Sequence, residues 1–488
     1  MRGLRARPAG LMALGMLAAC TFEPRYRTPP LPVNDAWPIP ATTAEPAPDA
    51  AATATADVGW RDFFIDERLQ ALIAQALAGN RDLAIAIASV ERARALYHIQ
   101  RANLLPAIGA TGAFSKQKIP PALSDGSPAS IYQSYSVNVG IASFELDLFG
   151  RVRSLSHAAL EAFLAQEETR RGAQLTLIAA VADAYLALAA DRELQRLSAA
   201  TLKSQQASYD LTAQRHTSGS ASALDLAQAR STVEAARADV ARYAGNVAQD
   251  LDALELLLGG PANTELLPQG LDPRVASLGV PPAGLPSTTL LRRPDIRAAE
   301  HQLRAANANI GAVRAALFPT VSLVGSVGSA SAGLSGLFKS GTGQWSFAPQ
   351  VTLPLFDGGA NLAGLAQANA ERKIAVAAYD RSVQSAFRDV ADGLALATTL
   401  RQEREADADL AAATATAFDL AQQRYKAGRD SYLNLLDAER SNYAAQQQLI
   451  AAQAAEQVNR VALYAALGGG WRERSAVSGP APAGVPAR

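Results

Sequence analysis

Gln214-Arg215-His216-Thr217-Ser218-Gly219 is answered later in the chain by Gln423-Arg424-Tyr425-Lys426-Ala427-Gly428. The two sextets stand 428 − 219 = 209 residues apart, and the same step carries Leu224-Asp225-Leu226 onto Leu433-Asn434-Leu435. Upstream, Asn80-Arg81-Asp82-Leu83 opens a helical segment that ends at Leu105-Pro106. Arg293-Pro294-Asp295-Ile296 opens another that ends at Phe318-Pro319. These landmarks differ by 295 − 82 = 213 and 319 − 106 = 213. Register held over such a distance marks a duplication, and the period is far too long for a solenoid. The chain is therefore read as a half-domain present twice, with a loop shorter by four residues in the second copy.

Each copy repeats one order: helix, two strands, very long helix, tight turn, long helix. In the first copy Tyr135, Val137, Val139 and Ile141 alternate with Ser134, Ser136, Asn138 and Gly140. In the second, Trp345, Phe347, Val351, Leu353 and Leu355 alternate with Gln344, Ser346, Gln350 and Thr352. Period-two alternation is the strand signal, and polar faces rich in Ser, Asn and Gln suit a wet lumen. Strands are expected over 103–119, 131–149, 318–331 and 343–356. About ten residues is the length of a tilted bilayer crossing. Four strands cannot close a barrel, for which about eight is the practical minimum, and lipid tolerates no open sheet edge. The strands must stay out of the membrane or close with strands of other chains, and a trimer supplies twelve.

Helices are expected over 152–215, 222–258, 358–425 and 431–467. The two longer ones run some 60 residues without proline, roughly 90–100 Å at 1.5 Å per residue. Leu175, Ile178, Val181, Ala182, Tyr185 and Leu188 share one face, while Gln174, Asp183, Asp191 and Arg192 interrupt the run and argue against a membrane span. Helices of that length, rich in alanine, are stable packed side by side. Gly219 and Gly428 suit a left-handed C-cap. Ser222 with Asp225 forms a candidate capping box, and Asp430 or Ser431 is the candidate cap in the second copy. Each pair is then an antiparallel hairpin with its tip far from the strands.

The termini set the compartment. Arg2, Arg5 and Arg7 precede a short apolar run from Leu11 to Ala19, which reads as a secretory signal over 1–19. The run ends Leu17-Ala18-Ala19-Cys20, a lipobox in which Cys20 is lipidated and becomes the first mature residue. A buried thiol is the plain alternative for the single cysteine. Thr21 follows where inner-membrane retention would call for Asp. Residues 20–57 form a Pro-rich extended linker, 259–292 an irregular Pro/Gly-rich connection, and 468–488 a tail. These, with Trp60 to Leu77, are expected to form a mixed belt. The first repeat is taken as 58–258 and the second as 293–467.

Lys and Arg number 45, Asp and Glu 45, so the net charge is zero and no basic stripe suggests nucleic acid. His98, His157, His216 and His301 show no ligand spacing, no glycine-rich phosphate loop follows a strand, and no catalytic set is visible. The expectation is a protein without enzymatic activity, metal or cofactor, apart from the lipid on Cys20.

Further stretches carry a resemblance: Trp60-Arg61-Asp62-Phe63-Phe64, Glu145-Leu146-Asp147-Leu148-Phe149-Gly150-Arg151, Gly284-Leu285-Pro286-Ser287, Pro354-Leu355-Phe356-Asp357-Gly358-Gly359 and Leu433-Asn434-Leu435-Leu436-Asp437-Ala438-Glu439-Arg440. In this order, with the lipobox, Arg293-Pro294-Asp295-Ile296 and the second tip, the chain resembles the outer-membrane factor family of TolC-like channels. Its OprM/NodT branch of efflux lipoproteins fits best, from Cys20 to about Leu467. The resemblance implies a mainly α chain with a membrane β-barrel, trimerising into a twelve-strand barrel, a twelve-helix periplasmic barrel and an equatorial belt. It implies a passive exit duct in the outer membrane, with a periplasmic adaptor and an inner-membrane RND-type transporter as partners. It further implies a periplasmic gate of Leu and Asp rings tied through Tyr and Arg, carried here onto Tyr425, Leu433, Asp437 and Arg440. The docking tips for the adaptor would be Gly219, Ser220, Gly428 and Arg429. For Leu433 and Asp437 an ordinary first helical turn is the alternative. Cargo is left open among drugs, metal ions and secreted proteins. An adaptor lipoprotein would carry one hairpin beside compact β domains, and a plain coiled-coil lipoprotein would lack the strands.

Overall fold

The computed structural model describes residues 21–37, 58–120, 130–272, 275 and 286–475. Cys20, the signal segment, linker residues 38–57, part of the connection between the repeats and the tail from 476 lie outside the described residues. After the short helix α1 (Trp60–Phe63) come α2 (Glu67–Gly79), α3 (Arg81–Ala102), β1 (Ile108–Ile119), β2 (Ser130–Leu146), α4 (Arg151–Thr217) and α5 (Ala223–Leu258). The second copy runs α6 (Pro294–Ala315), β3 (Thr320–Ser331), β4 (Gly343–Thr352), α7 (Ala360–Lys426) and α8 (Tyr432–Ala466). The strands are shorter than the sequence pattern indicates: β2 stops at Leu146 and β4 at Thr352. Leu148 N donates to Leu146 O in a turn, and Pro354 has no N–H to extend β4.

Chain contacts divide the molecule into two units, and each draws on both copies. One comprises Met1–Pro30, Ser89–Glu167 and Ala298–Tyr379, the other Leu31–Ala88, Glu168–Arg297 and Asp380–Arg488. The boundaries fall at nearly equivalent places, 298 − 89 = 209 inside α3 and α6 and 379 − 167 = 212 inside both 67-residue helices.

The first unit holds the four strands as one antiparallel sheet in the order β1-β2-β3-β4. Among the described residues β1 pairs only with β2 and β4 only with β3, which leaves both edges free. The expected alternation is present. Asn138 Oδ1 accepts from Gln344 Nε2 at 2.8 Å, and Ser326 Oγ meets Ser346 Oγ at 2.8 Å on the polar face. On the other face the Phe114 and Tyr135 rings lie 4.6 Å apart, and Trp345, Phe347 and Val351 are more than half exposed. An apolar face of this kind is stable against lipid, not water.

The second unit contains the main apolar core. Trp60, Phe63 and Phe64 pack with Leu69, Leu72, Ile178, Val181, Tyr185, Leu254, Leu258, Val461 and Tyr464. The apolar stretch of α4 is therefore core, although α4 is long and apolar enough by composition to cross a membrane. The Phe63 and Tyr464 rings stack at 3.8 Å, and Tyr464 Oη donates to Val58 O at 2.6 Å. The segment after α8 pairs with α1: Trp60 N donates to Arg472 O and Arg61 N to Glu473 O.

The duplication is visible in the hydrogen bonds. Asn80, at the head of α3, accepts from Leu83 N and donates through Nδ2 to Leu257 O at 3.0 Å. Arg293, at the head of α6, donates through Nη1 to Ala466 O at 2.6 Å. The donors are 293 − 80 = 213 residues apart and the acceptors 466 − 257 = 209. Each tie satisfies a helix-end carbonyl that would otherwise lack a partner.

Candidate functional site

The two turns between the long helices are built alike. Ser220 N donates to Arg215 O at 2.8 Å and Gly219 N to His216 O at 3.0 Å. Arg429 N donates to Arg424 O at 2.9 Å and Gly428 N to Tyr425 O at 3.0 Å. Gly219 has φ 75° and Gly428 φ 70°. An added Cβ would meet nothing within 4 Å at either, so the left-handed backbone, not crowding, calls for glycine.

Helix starts differ between the copies. Ser222 and Asp225 form the full capping box ahead of α5. Ahead of α8, Ser431 occupies the N-cap position but its hydroxyl caps nothing. Asp430 takes the load instead: its carboxylate accepts from Ser431 N at 3.1 Å, from Arg424 Nε at 3.0 Å and from the Asn434 amide. Arg424, then Asn434, hold the Asp430 carboxyl below its ordinary value. The acid that completes the box in copy one, Asp225, is replaced by Asn434 at the 209-residue step, so a second carboxylate must come from outside the helix.

Tyr425 turns inward. It is 4% exposed and joins Tyr432, Leu435, Leu436 and Ala229 in a small core. Its hydroxyl shares a hydrogen bond with Thr212 Oγ1 at 3.0 Å. The Arg215 guanidinium stacks over its ring, 4.4 Å from the centroid. Arg215 Nη2 also donates to Tyr425 O at 3.0 Å and Lys426 O at 3.3 Å, the last carbonyls of α7. One side chain thus ties the C-terminal end of α4 to that of α7 and places a cation where the helix dipole favours it.

Leu433, Asp437 and Arg440 lie on the opposite side. All three are exposed, at i, i+4 and i+7 of α8, so they share one stripe. Leu433 is 58% exposed, as is its counterpart Leu224 in the first turn of α5 at 66%. The four expected gate residues are therefore not brought together within the chain. The cation on Tyr425 is Arg215, not Arg440. Neither Arg215 nor Thr212 is singled out by the sequence, although Arg215 sits in the repeated sextet, because nothing in the linear chain pairs α4 with α7.

The start of the described chain is clamped inside the first unit. Phe22 stacks on Phe318 at 4.4 Å and on Phe149 at 6.0 Å. Asn307 Nδ2 donates to Pro24 O at 2.7 Å, and Arg314 Nη1 to Phe22 O at 3.4 Å. Two histidines that looked scattered converge here. His157 bridges Glu23 (3.0 Å) and Glu161 (3.4 Å), and His301 Nδ1 meets Glu161 at 2.6 Å. Burial pushes the Glu161 carboxyl up, but His301, Arg304 and His157 outweigh it and leave it below its ordinary value. The two histidines, 301 − 157 = 144 residues apart, meet because α4 and α6 lie side by side in this unit.

The family described as outer membrane efflux protein matches residues 72–260 and 285–469. These two stretches reproduce the duplication, 285 − 72 = 213 and 469 − 260 = 209. A toluene efflux pump outer membrane protein of Pseudomonas putida, TtgC, is 45% identical over 462 residues, 94% of each chain. The outer membrane protein OprJ of Pseudomonas aeruginosa is 44% identical over 459 residues, again 94% of each. The open-state crystal structure of the Neisseria gonorrhoeae MtrE outer membrane channel matches at 40% identity with a TM-score of 0.84, covering 94% of this chain and all of that one.

Proposed function

The chain belongs to the outer membrane efflux protein family, and from that premise we propose that three copies form the exit duct of a tripartite efflux pump. It is an outer-membrane channel of TolC-like fold. The duct takes small molecules from an inner-membrane RND-type transporter through a periplasmic adaptor. The observation that carries the reading is the sheet with an outward apolar face and two free edges. In lipid each unpaired backbone group costs several kcal/mol, and β4 of one copy meeting β1 of the next removes both edges. Three copies give twelve strands, enough to close. Relatives named for toluene and antibiotic efflux support apolar or amphiphilic cargo. The family is one of channels, and driving free energy belongs to the partner transporter.

Leu433, Asp437 and Arg440 would then face their counterparts around the axis. Three leucines make an apolar constriction and three aspartates a cation-selective ring one turn away. The exposed turns at Gly219, Ser220, Gly428 and Arg429 form the adaptor-docking end. Cys20, one residue before the clamped strap, carries the lipid.

The test is bilayer recording of the Leu433→Ala, Asp437→Ala and double variants. The double variant is expected to conduct more than either single one and to lose cation preference. Unchanged conductance and selectivity would place the constriction elsewhere. Native mass measurement is expected to give three chains, and a conducting monomer would overturn the assembly.

A further inference from the structure

The inner side of the α8 tip carries an acid that the gate reading does not use. Glu439 lies between Asp437 and Arg440 in sequence but turns away from both: it is 4% exposed. It continues the buried stripe of Tyr432, Leu435 and Leu436 at i−7, i−4 and i−3. Among the described residues no cation and no backbone N–H reaches either of its carboxylate oxygens. From α4 only the Ser204 hydroxyl eases the burial. From α8 the titratable neighbour is Tyr432, which has Thr232 of α5 on its other side and Tyr425 of α7 against its ring at 5.7 Å. Arg440, on the exposed stripe, acts on Tyr432 from a distance. A buried carboxylate with no cation is costly, so this position favours the neutral acid while the helices are packed.

We propose that Glu439 is a proton-operated brace of the tip: as the neutral acid it lets α8 seat against α4 and α5, and as the carboxylate it works that seat apart. This rests on the reading of the α7–α8 tip as the constricted end of the channel. Burial pushes the Glu439 carboxyl up, with Ser204 opposing. The seated tip therefore holds its proton more tightly than a splayed tip, in which the group is solvated. Seating is favoured in acid. The advantage fades as pH rises from the ordinary glutamate value of about 4.3 through the raised value, and is gone above it.

The experiment is amide hydrogen exchange over residues 432–440 in the intact full-length protein between pH 4.5 and 7.5, corrected for intrinsic exchange. An Asp437→Asn background removes the exposed acid. Protection is expected to fall by about tenfold across the range. Glu439→Gln is expected to hold it flat and high, and Glu439→Asp to restore the fall. Glu439→Leu replaces the glutamine variant if that one fails to assemble. A fall of wild-type size in the glutamine or leucine variant overturns the proposal. Conductance of the same variants separates the two readings. If exchange responds to Glu439 while conductance does not, the brace stands and the gate lies elsewhere.

Discussion

Removing the Arg215 side chain is expected to loosen the tip more than any single change on the exposed stripe of α8. Its guanidinium donates to two helix-end carbonyls and stacks on Tyr425. Arg215 is half-buried, so low-end values apply: about 1.5 kcal/mol for charge-assisted hydrogen bonds and about 0.5 kcal/mol for the cation–π contact. The sum of about 2 kcal/mol per chain corresponds to roughly 30-fold in the balance between tied and untied tips. Arg215→Lys keeps the charge but loses the planar fork, and is expected to fall between. Tyr425→Phe deletes only the Thr212 hydrogen bond, about 1 kcal/mol or fivefold. Open probability in planar bilayers, with hydrogen exchange at residues 212–217 and 425–432, reads these steps. If Arg215→Ala leaves open probability within about twofold of wild type while Arg440→Ala raises it, the tie runs through Arg440 across chains and the assignment to Arg215 is wrong.

The strap gives a second expectation: Phe22→Ala removes the ring that stacks on Phe318 and Phe149, about 2 kcal/mol of ring burial and stacking, and limited proteolysis should cut near residues 21–30 far faster. Cys20→Ala should abolish incorporation of a palmitate analogue while the barrel keeps the protein in the membrane, and label that persists refutes lipidation there. Burial alone raises the Asp183 carboxyl to about 6. Its folded value lies above the unfolded one, so the folded state loses stability as pH rises from the ordinary carboxylate range through about 6. Asp183→Asn should therefore raise the melting temperature at pH 8 and not at pH 4, and an equal gain at both would show that its charge is not the cause.

Much of the architecture follows from sequence because it rests on local rules. The helices are long because no proline breaks them, and Gly219 and Gly428 end in left-handed turns because only glycine takes that backbone freely. The strands alternate at period two, and the 213- and 209-residue steps state the duplication before any coordinate does. One local expectation went further than the backbone allows, since β4 stops ahead of Pro354, while of the two candidate caps before α8 it is the Asp430 carboxylate, not the Ser431 hydroxyl, that accepts a backbone N–H. What sequence could not decide was every choice made between helices distant along the chain. That Tyr425 meets Arg215 and Thr212, 210 and 213 residues away, depends on α4 lying beside α7. That Asp437 is exposed while Glu439, two residues on, is buried depends on which face of α8 the small core around Tyr432 takes. Helical period narrows such choices to a stripe, but neighbouring stripes of an alanine-rich helix are nearly equal in apolarity. The partner helices break the tie, because desolvation and hydrogen bonding are settled only where two surfaces meet.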